Sequence, residues 1–442
     1  MIGFIKYFIM LVFLTGVLFA QDDNDAIGLF RNEFGPGARA MALGGAFAPI
    51  AEDFTATYWN PAGLAQIRKM EFYGSLSRIN LNNRIGYQGT LTENTNGFTN
   101  INSMGIVFPI PTFRGSLVFA VGYNRVNHFD DFNQVVGAPS VSNSSFYQSE
   151  QTTVDGNLNQ WSFAGAADLS KNFSIGATLN LITGRNRTNV AYREDDPNDV
   201  LLDEQSWNVN FDIKPDYTGA NFKIGSLFRP MENLRLAATI TMPSSISAEE
   251  NSNYFESFVD DSSYVSDYGP FDEFRKYHIT SPWRFELGAS YKYKLATLSG
   301  SVEFIDWTET RFSSNLVDGN GNNIDGEINT AIITKYRSTE NYHLGAEVII
   351  PQVGAKVMGG YYYQLSPYKN GVELVNSNKQ FISGGISFLV DEQIKLDVAY
   401  QHGFWKQSTT DDFLGADPQG NAFVTSEKIK TNRFLIGLSY RF

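Results

Sequence analysis

The sequence has no cysteine in its 442 residues and only four histidines. The absence of cysteine excludes a disulfide framework, a thiolate metal site and a lipid anchor on a cysteine. The histidines lie in different regions, so we predict solvated side chains and no metal site for His128, His278, His343 and His402. No Gly-x-Ser-x-Gly nucleophile motif is present, and we expect neither an enzyme nor a cofactor.

Positive charge and long apolar runs are also scarce. A net charge of -13 argues against nucleic acid as a partner. Beyond residue 20, no apolar stretch approaches the roughly 18 residues of a transmembrane helix. The chain begins with Lys6, an apolar run from Tyr7 to Phe19, and Ala20 ahead of an acidic stretch. This pattern predicts a signal peptide over residues 1–20, and therefore export from the cytoplasm.

The remaining sequence is rich in aromatic residues, with 35 Phe and 22 Tyr, but they are not clustered in blocks. At the C-terminus, apolar and polar or small residues alternate, and the apolar set is Phe434, Ile436, Leu438, Tyr440 and Phe442. The same alternation runs from Arg284 to Tyr293 and from Ile394 to Tyr400. A period of two with one apolar face is typical of a strand between lipid and a polar barrel interior.

Reading the whole chain for this period predicts about fourteen strands. Short connections alternate with long polar ones, as periplasmic turns alternate with extracellular loops in outer-membrane barrels. We therefore predict an all-β fold: a transmembrane antiparallel β-barrel over residues 69–442, embedded in outer-membrane lipid and lipopolysaccharide. The predicted strands cover residues 69–91, 101–110, 114–127, 157–168, 171–193, 206–228, 233–249, 282–294, 296–311, 335–350, 353–366, 379–390, 392–406 and 428–442, and the longest loops 128–156, 250–281, 312–334 and 407–427.

Two sets of residues locate the faces of this barrel. Five tryptophans lie beside the long connections and predict an aromatic girdle at the outer interface: Trp161, Trp207, Trp283, Trp307 and Trp405. Charged residues on the inner face are expected to line the lumen and to hydrogen-bond one another: Arg284, Glu286, Lys292, Glu303, Lys395, Asp397 and Arg433.

Residues 21–68 do not alternate and are rich in Gly, Ala and Pro. This composition predicts short helices and loops, folded into the lumen as an N-terminal hatch, since a barrel of this width must fill its interior. Within the segment, Asn60-Pro61-Ala62-Gly63 predicts a turn, because Pro61 restricts Asn60 to extended geometry and Gly63 permits angles that other residues avoid.

The hatch sequence resembles the N-terminus of FadL-type transporters for long-chain fatty acids and other hydrophobic compounds. The matching residues are Gly37-Ala38-Arg39-Ala40-Met41-Ala42-Leu43-Gly44-Gly45-Ala46-Phe47 and Asn60-Pro61-Ala62-Gly63-Leu64-Ala65, with later matches at Ser281-Pro282-Trp283-Arg284, Phe304-Ile305-Asp306-Trp307 and Phe442. The resemblance implies a fourteen-stranded barrel with a hatch, in which Asn60, Pro61 and Gly63 shape or gate the ligand path.

The resemblance also implies a lateral exit, since the third strand of that family carries an inward kink that opens the wall. The predicted third strand contains Gly122, Asn124 and Asn127, and a glycine within a strand often marks a bulge. Ordinary irregularity near the interface explains these residues equally well. Arg284 or Lys292 is a candidate for receiving a carboxylate head group.

Three functions are therefore compared. The leading hypothesis is passive passage of a hydrophobic small molecule, either a fatty acid or a hydrocarbon. The alternative is a PorV-like shuttle of a secretion system, since such proteins carry a similar Asn-Pro-Ala motif and hold a secreted protein partner. A polar pore is disfavoured because the hatch should occlude it. The Asp318 to Asn322 segment resembles the start of a calcium loop but lacks the needed glycine at Asn323, so we predict a polar hairpin tip there.

Overall fold

The computed structural model describes residues 23–31, 35–141, 144–201, 203–317, 321–369, 377–410 and 424–442. The predicted signal peptide and the Asp318 to Asn320 part of the predicted hairpin tip lie outside these described residues. Within the described ranges, no helix is both long enough and apolar enough to cross a bilayer.

Most of the described chain forms long strands, and helices are short. The helices are α1 (Asp23–Gly28), α2 (Ala38–Ala42), α3 (Ala56–Trp59) and α4 (Asp325–Lys335), with 3-10 helices at Pro61–Gln66, Trp307–Glu309 and Pro351–Val353. The strands are β1 (Glu71–Tyr87), β2 (Thr90–Ile110), β3 (Leu117–His128), β4 (Asp131–Gly137), β5 (Ser140–Val141), β6 (Ser144–Ser145), β7 (Tyr147–Ser170), β8 (Phe173–Asp195), β9 (Ser206–Met231), β10 (Leu234–Thr241), β11 (Ser245–Val259), β12 (Val265–Thr280), β13 (Arg284–Tyr293), β14 (Ala296–Asp306), β15 (Arg311–Ser314), β16 (Ser338–Ile350), β17 (Ala355–Gln364), β18 (Lys379–Leu389), β19 (Ile394–Thr410) and β20 (Val424–Arg441).

Fourteen of the described strands close an antiparallel barrel, as the sequence predicts. In order around the wall they are β1, β2, β3, β7, β8, β9, β10, β13, β14, β16, β17, β18, β19 and β20. The last strand pairs with the first along its length, from Glu71 opposite Arg441 to Gly86 opposite Ser426. Closure satisfies the backbone hydrogen bonds of the strands within the sheet, which a lipid environment requires.

The alternation of the sequence matches the two faces of the wall. In β20, Phe434 is 48% and Ile436 53% exposed on the outer surface, whereas Arg433 is buried in the lumen. In β13, Phe285 and Leu287 are exposed outwards in the same way. The outer face therefore presents a continuous apolar surface to lipid.

The two ends of the barrel differ as predicted, but the long connections are more ordered than expected. One end has tight turns, such as Lys171-Asn172 between β7 and β8. At the other end, residues 250–281, predicted to be a loop, form most of the β11–β12 hairpin. Strands β7, β8 and β9 contain 24, 23 and 26 residues, well above the roughly 9 to 11 that span a bilayer. Outside lipid the outer face of these strands meets water, so pairing continues without the apolar outer face that reveals the strands in the sequence.

The girdle prediction is correct for two tryptophans and wrong for three. Trp161 and Trp283 are 47% and 39% exposed on the outer surface. Trp307 and Trp405 are buried, and Trp207 packs within a cluster of the projecting strands. Their indole rings lie on the inner face of the sheet, which the position of a residue relative to a loop does not reveal.

Candidate functional site

The N-terminal segment from Ala38 to Gln66 lies inside the barrel and contacts strands on opposite sides of it. Helix α2 packs on β17, β18, β19 and β20, whereas the 3-10 helix Pro61–Gln66 packs on β3, β7, β8 and β9. Its apolar side chains form one buried cluster with the inner wall, including Leu43, Phe47, Phe54 and Leu64, which are all fully buried. The segment thus fills the cross-section of the lumen on the side of the short turns.

Glycine pairs on neighbouring strands let the segment approach the wall closely. Gly176 and Gly225 face each other on β8 and β9. A Cβ atom at Gly225 would lie 2.1 Å from the side-chain oxygen of Asn60, and one at Gly176 would lie 2.4 Å from the backbone of Pro61. The wall is therefore recessed where the Asn60-Pro61 turn docks.

A second glycine pair receives an aromatic ring. Gly105 on β2 pairs with Gly122 on β3, and a Cβ atom at either position would fall within 2.4 Å of the Phe54 ring. The ladder is regular at Gly122, so this residue makes room for Phe54 and is not itself a bulge. Phe54 consequently rests directly on the wall between the second and third strands.

The Asn60 side chain fixes the predicted turn through three hydrogen bonds. Its oxygen accepts from the backbone N–H of Ala62 at 3.1 Å and caps the 3-10 helix. Its amide donates to the carbonyl oxygens of Ala48 and Ser226, each at 3.0 Å. Gly63 packs so closely on Ala51 that a Cβ atom would lie 1.9 Å from the Ala51 carbonyl oxygen. The motif therefore fastens the segment to itself and to β9.

Buried ion pairs hold the same segment to the strands near the short turns. Arg39 donates to both carboxylate oxygens of Glu347 on β16, the shortest contact being 2.9 Å, and to Glu52 at 3.1 Å. Glu52 also accepts from Arg235 on β10 at 3.3 Å. Burial alone would raise the pKa of Glu52, but the charges of Arg39 and then Arg235 outweigh it and hold this pKa at about 2.

Further charges extend this layer across the barrel. Lys395 lies 3.0 Å from Asp397, its neighbour on β19, and 3.8 Å from Asp53 of the N-terminal segment. Arg441 pairs with Glu71, and Glu71 accepts from the backbone N–H of Phe54 at 2.8 Å. The short-turn end of the lumen is thus closed by packed ion pairs, as expected for the inward-facing Lys395 and Asp397.

A cavity lies above this layer, with α3 and the glycines after α2 at its base. Together with the part open to solvent it measures about 1170 Å³. Apolar residues line one part of it: Phe30, Met41, Tyr58, Trp59, Val126, Leu158, Ile182 and Tyr362. Charged and polar residues line the rest: Gln160, Asn180, Asn221, Lys223, Arg284, Glu286, Glu303, His343 and Gln401. The lining of the cavity is therefore amphipathic.

Helix α1 separates this inner cavity from a second one on the side of the projecting strands. Ile27 and Gly28 line the outer cavity, of about 750 Å³ including its open part, whereas Phe30 lines the inner cavity. Ile27 and Phe30 belong to an apolar cluster with the inner wall.

The wall itself is interrupted between β2 and β3. Their ladder runs from Ile110–Leu117 to Ser103–Asn124 and ends there. On the β3 side, the pairing with β7 skips Val126, and on the β2 side the pairing with β1 skips Asn102. Both strands therefore have an irregularity where they separate, and Val126 lines the inner cavity.

Beyond this point, which we call the seam, side chains join β2 to Asp130 and to β4, and no backbone ladder links them within the described residues. Asparagines of β2 make these contacts: Asn100 with Asp130 at 3.2 Å, Asn96 with the Phe132 carbonyl at 3.0 Å, and Asn94 with the Gln134 carbonyl at 3.1 Å. The seam begins beside Trp161, whose ring packs on Tyr123 at 5.3 Å. An exposed tryptophan at this point indicates the outer membrane interface.

Asn124 and Asn127 lie on either side of the irregularity; Asn124 contacts the N-terminal segment, and Asn127 contacts the end of α1. Asn124 is fully buried and donates to the Thr57 hydroxyl at 3.2 Å. Asn127 donates to the carbonyl oxygens of Gly28 and Leu29 at 3.4 Å. The irregularity lies between Arg125 and Asn127, four residues beyond the glycine at which the sequence suggested a bend.

The two candidate head-group residues lie at opposite ends of β13. Arg284 lines the inner cavity, 3.5 Å from Glu303, and donates to the Phe30 carbonyl. Lys292 is exposed two residues before the short turn and is not among the cavity residues, because the barrel is already closed by ion pairs at that level. Only Arg284 therefore remains a candidate.

One histidine was assigned wrongly. His343 is buried in the lumen, 2.8 Å from the Gly44 carbonyl, with its ring stacked on Tyr362 at 4.3 Å. Sequence reasoning also passed over Lys223, which donates to the Tyr58 carbonyl in the cavity. Both occupy inward positions of strands, but only the docked segment makes those positions part of a site.

Comparisons with known proteins agree with this architecture. A family model described as outer membrane protein transport protein (OMPP1/FadL/TodX) matches residues 17–442. No curated protein matches the sequence. Three solved structures align over nearly their whole length. A Pseudomonas aeruginosa FadL homologue has 14% sequence identity and a TM-score of 0.63, and the alignment covers 93% of this chain and 99% of that chain. The P. putida toluene transporter TodX has 12% identity and a TM-score of 0.60, with 92% and 99% covered, and the CymD monoaromatic hydrocarbon channel has 13% identity and a TM-score of 0.57, with 92% and 98% covered. At these identities the structures establish the fold, and the family match over almost the whole sequence establishes membership. The chain belongs to the outer membrane protein transport protein family (OMPP1/FadL/TodX).

Proposed function

We propose that this protein carries hydrophobic small molecules, the class that includes long-chain fatty acids and hydrocarbons, from outside the cell into the outer membrane. The ligand enters past α1, occupies the inner cavity and leaves sideways at the base of the seam, where β2 and β3 separate. Family membership supports the transport role. The observation that carries the route is the end of the β2–β3 ladder at Ser103 and Asn124, beside the cavity residue Val126.

The charges of the lumen favour this exit over a passage to the periplasm. A periplasmic route would have to break buried ion pairs such as Arg39 with Glu347. Breaking a buried pair costs about 3 to 5 kcal/mol, and an apolar ligand returns none of this energy. At the seam, by contrast, the residues to be displaced are asparagine side chains and the Asn127 contact with α1.

In this proposal the N-terminal segment acts as a hatch. The Asn60, Pro61 and Gly63 turn holds its base against β8 and β9, while Phe54 rests on the wall just below the seam. A small displacement of α1 or Phe54 opens the path, whereas the turn keeps the periplasmic side closed. This role divides the segment into a fixed base and a movable upper part.

The route is tested by cross-linking the seam in a chain that has no cysteine of its own. Cysteines replace Asn100 and Asp130, whose side chains meet at 3.2 Å, and a cleavable bismaleimide joins them. The matched control joins cysteines at Asn189 and Asn210, which meet at 3.1 Å across the continuous β8–β9 ladder. Cells producing each variant then take up labelled oleate or hexadecane.

We expect the seam cross-link to reduce uptake at least about tenfold, and cleavage of the linker to restore it, whereas the control cross-link has no effect. Unchanged uptake with the seam closed would contradict lateral exit and favour the periplasmic route. Absence of uptake in every variant, including the folded wild type, would contradict hydrophobic transport itself.

A second function, holding an exported protein, is favoured by one observation. Among the described residues, Val265 to Lys276 of β12 pair only with β11, so this projecting strand has a free edge. Phe271 and Phe274 on it are 48% and 61% exposed. A free edge can add a strand from a partner. Copurification of an exported protein that is lost on Phe274→Arg would support this function, and an unchanged set of copurified proteins would contradict it.

A further inference from the structure

The polar side of the inner cavity contains Glu286. Its carboxylate is one of two buried acceptors of the cavity lining that have no hydrogen-bond partner within the described residues, the other being Gln401. Glu286 on β13 is 9% exposed and lines the cavity. Among the described residues, its Oε1 atom has no hydrogen-bond partner. Ser301 on β14 approaches Glu286, but its hydroxyl makes no hydrogen bond of good geometry within the described part of the chain. Buried carboxylate oxygens are normally paired, so this one requires an explanation.

The other charged groups on that side already have partners. Lys223 donates to the Tyr58 carbonyl and lies 5.1 Å from the centre of the Tyr58 ring. Glu303 accepts from Asn341 at 2.9 Å and lies 3.5 Å from Arg284. These contacts fix the lysine and the second carboxylate in place. Glu286 is the acidic group that remains directed at the cavity.

Arg284 is also committed to structural contacts. It donates to the Phe30 carbonyl above the cavity, and its guanidinium lies 5.8 Å from the centre of the Trp307 ring. A ligand carboxylate at this side would compete with the Phe30 carbonyl and Glu303 for Arg284. It also has no hydrogen to donate to Glu286. A donor group, in contrast, would satisfy Glu286 without displacing any of these contacts.

The apolar residues of the cavity lining define the rest of the ligand. Met41, Trp59, Leu158 and Ile182 offer no charged group. A ligand that contacts both these residues and Glu286 therefore has an apolar body with a hydrogen-bond donor at one end. A hydrocarbon has no donor, and a fatty acid anion has no hydrogen to donate, so neither matches the whole lining.

We propose that the inner cavity selects hydrophobic molecules that carry a hydroxyl or amino group, and that Glu286 accepts a hydrogen bond from this group. This inference rests on the proposed function, because it assumes that the cavity is the ligand site of a hydrophobic transporter. A neutral hydroxyl and an ammonium group share the donor chemistry, and the test separates them.

The test compares four ligands with the same twelve-carbon body: dodecane, dodecanol, dodecylamine and dodecanoate. Each displaces the hydrocarbon probe diphenylhexatriene from the purified full-length protein in detergent. We expect dodecanol or dodecylamine to bind at least about tenfold more tightly than dodecanoate, since each of them donates a hydrogen bond to the buried acceptor and dodecanoate has none to donate. Equal affinity for all four ligands, or tightest binding of dodecanoate, would overturn the inference.

Variants at Glu286 assign the preference to this residue. Glu286→Leu should lose the preference for dodecanol and dodecylamine and keep the affinity for dodecane. Glu286→Gln retains an acceptor without charge, so it should lose only the preference for dodecylamine. The control, Glu249→Leu, makes the same change at an exposed position on β11, where the carboxylate pairs with Lys276, and should behave as wild type.

Each outcome bears on one of the two proposals. An unchanged preference in Glu286→Leu would overturn the role of Glu286 while leaving hydrophobic transport intact. Failure of the folded wild type to bind any of the four ligands would overturn the proposed function itself. A folded barrel shows a shift in gel mobility between heated and unheated samples. If Glu286→Leu lacks this shift, it is not folded, and the isosteric Glu286→Gln tests the role of Glu286 instead, through its affinity for dodecylamine.

Discussion

Replacing Asn60 by alanine removes the central fastening of the N-terminal segment. The substitution deletes the cap on Ala62 and the two hydrogen bonds to the carbonyl oxygens of Ala48 and Ser226, all in a fully buried site. At about 1 kcal/mol for each hydrogen bond, the docked state loses about 3 kcal/mol relative to an undocked one. Since 1.4 kcal/mol is a factor of ten, the undocked population should rise by about two orders of magnitude.

Hydrogen–deuterium exchange measures this population directly, because buried backbone amides exchange when the segment leaves the wall. We expect residues 38–66 to exchange about a hundredfold faster in Asn60→Ala, with the strands of the barrel unchanged. The control is Gln66→Ala, at the end of the same 3-10 helix, where only one contact of 3.4 Å to Ser174 is lost. Its exchange should rise by no more than about fivefold, as expected for one weak hydrogen bond. If Asn60→Ala exchanges like the control, the turn does not hold the segment in place.

Three further predictions concern the same segment. Gly225→Ala should release the segment and increase its cleavage by protease, because the new Cβ atom would lie 2.1 Å from the side-chain oxygen of Asn60. The control Gly359→Ala should have no effect, because its Cβ atom would have no neighbour closer than 3.9 Å. Phe54→Ala should speed ligand release through the seam in stopped-flow measurements, because its ring covers the wall there; an unchanged rate would exclude it from the gate. The pKa of Glu52 is lowered from 4.5 to about 2, so its pairing with Arg39 stabilises the docked segment fully above pH 4.5, and this stabilisation is lost as the pH falls towards 2. Protease cleavage of the segment should therefore be constant from pH 5 to 8 and rise below about pH 4. A flat profile would contradict this.

The barrel was predictable because lipid imposes a simple pattern on sequence. Phe434 and Ile436 had to alternate with lumen residues, and this alternation gave the correct strand number. Outside the bilayer this alternation is not required. Ser252 and Glu256 of β11 therefore pair in a strand that has no continuous apolar face. The sequence pattern therefore predicts loops where the extended hairpins form.

The site was less predictable because its inner positions depend on what docks against them. Alternation correctly directed Arg284 and Glu286 inwards, but it also directed Lys292 inwards at a level that the ion pairs already close. The irregularity at Val126 depends on register with neighbouring strands, which the sequence of one strand does not contain. The Asn60 turn was identified as a turn, but its docking partners on β9 were not.

The length of β7, β8 and β9 determines where the molecule meets its surroundings. At about 3.3 Å per residue, strands of 23 to 26 residues are roughly 75 to 85 Å long. With a tilt near 45°, they extend roughly 30 Å beyond an apolar band that is about 25 Å tall. Their upper parts pack on Ile85, Tyr87 and Val135 and form a separate apolar core beyond the membrane. This core stabilises the projecting strands without help from lipid, so the part of the molecule above the membrane is an ordered extension of the barrel.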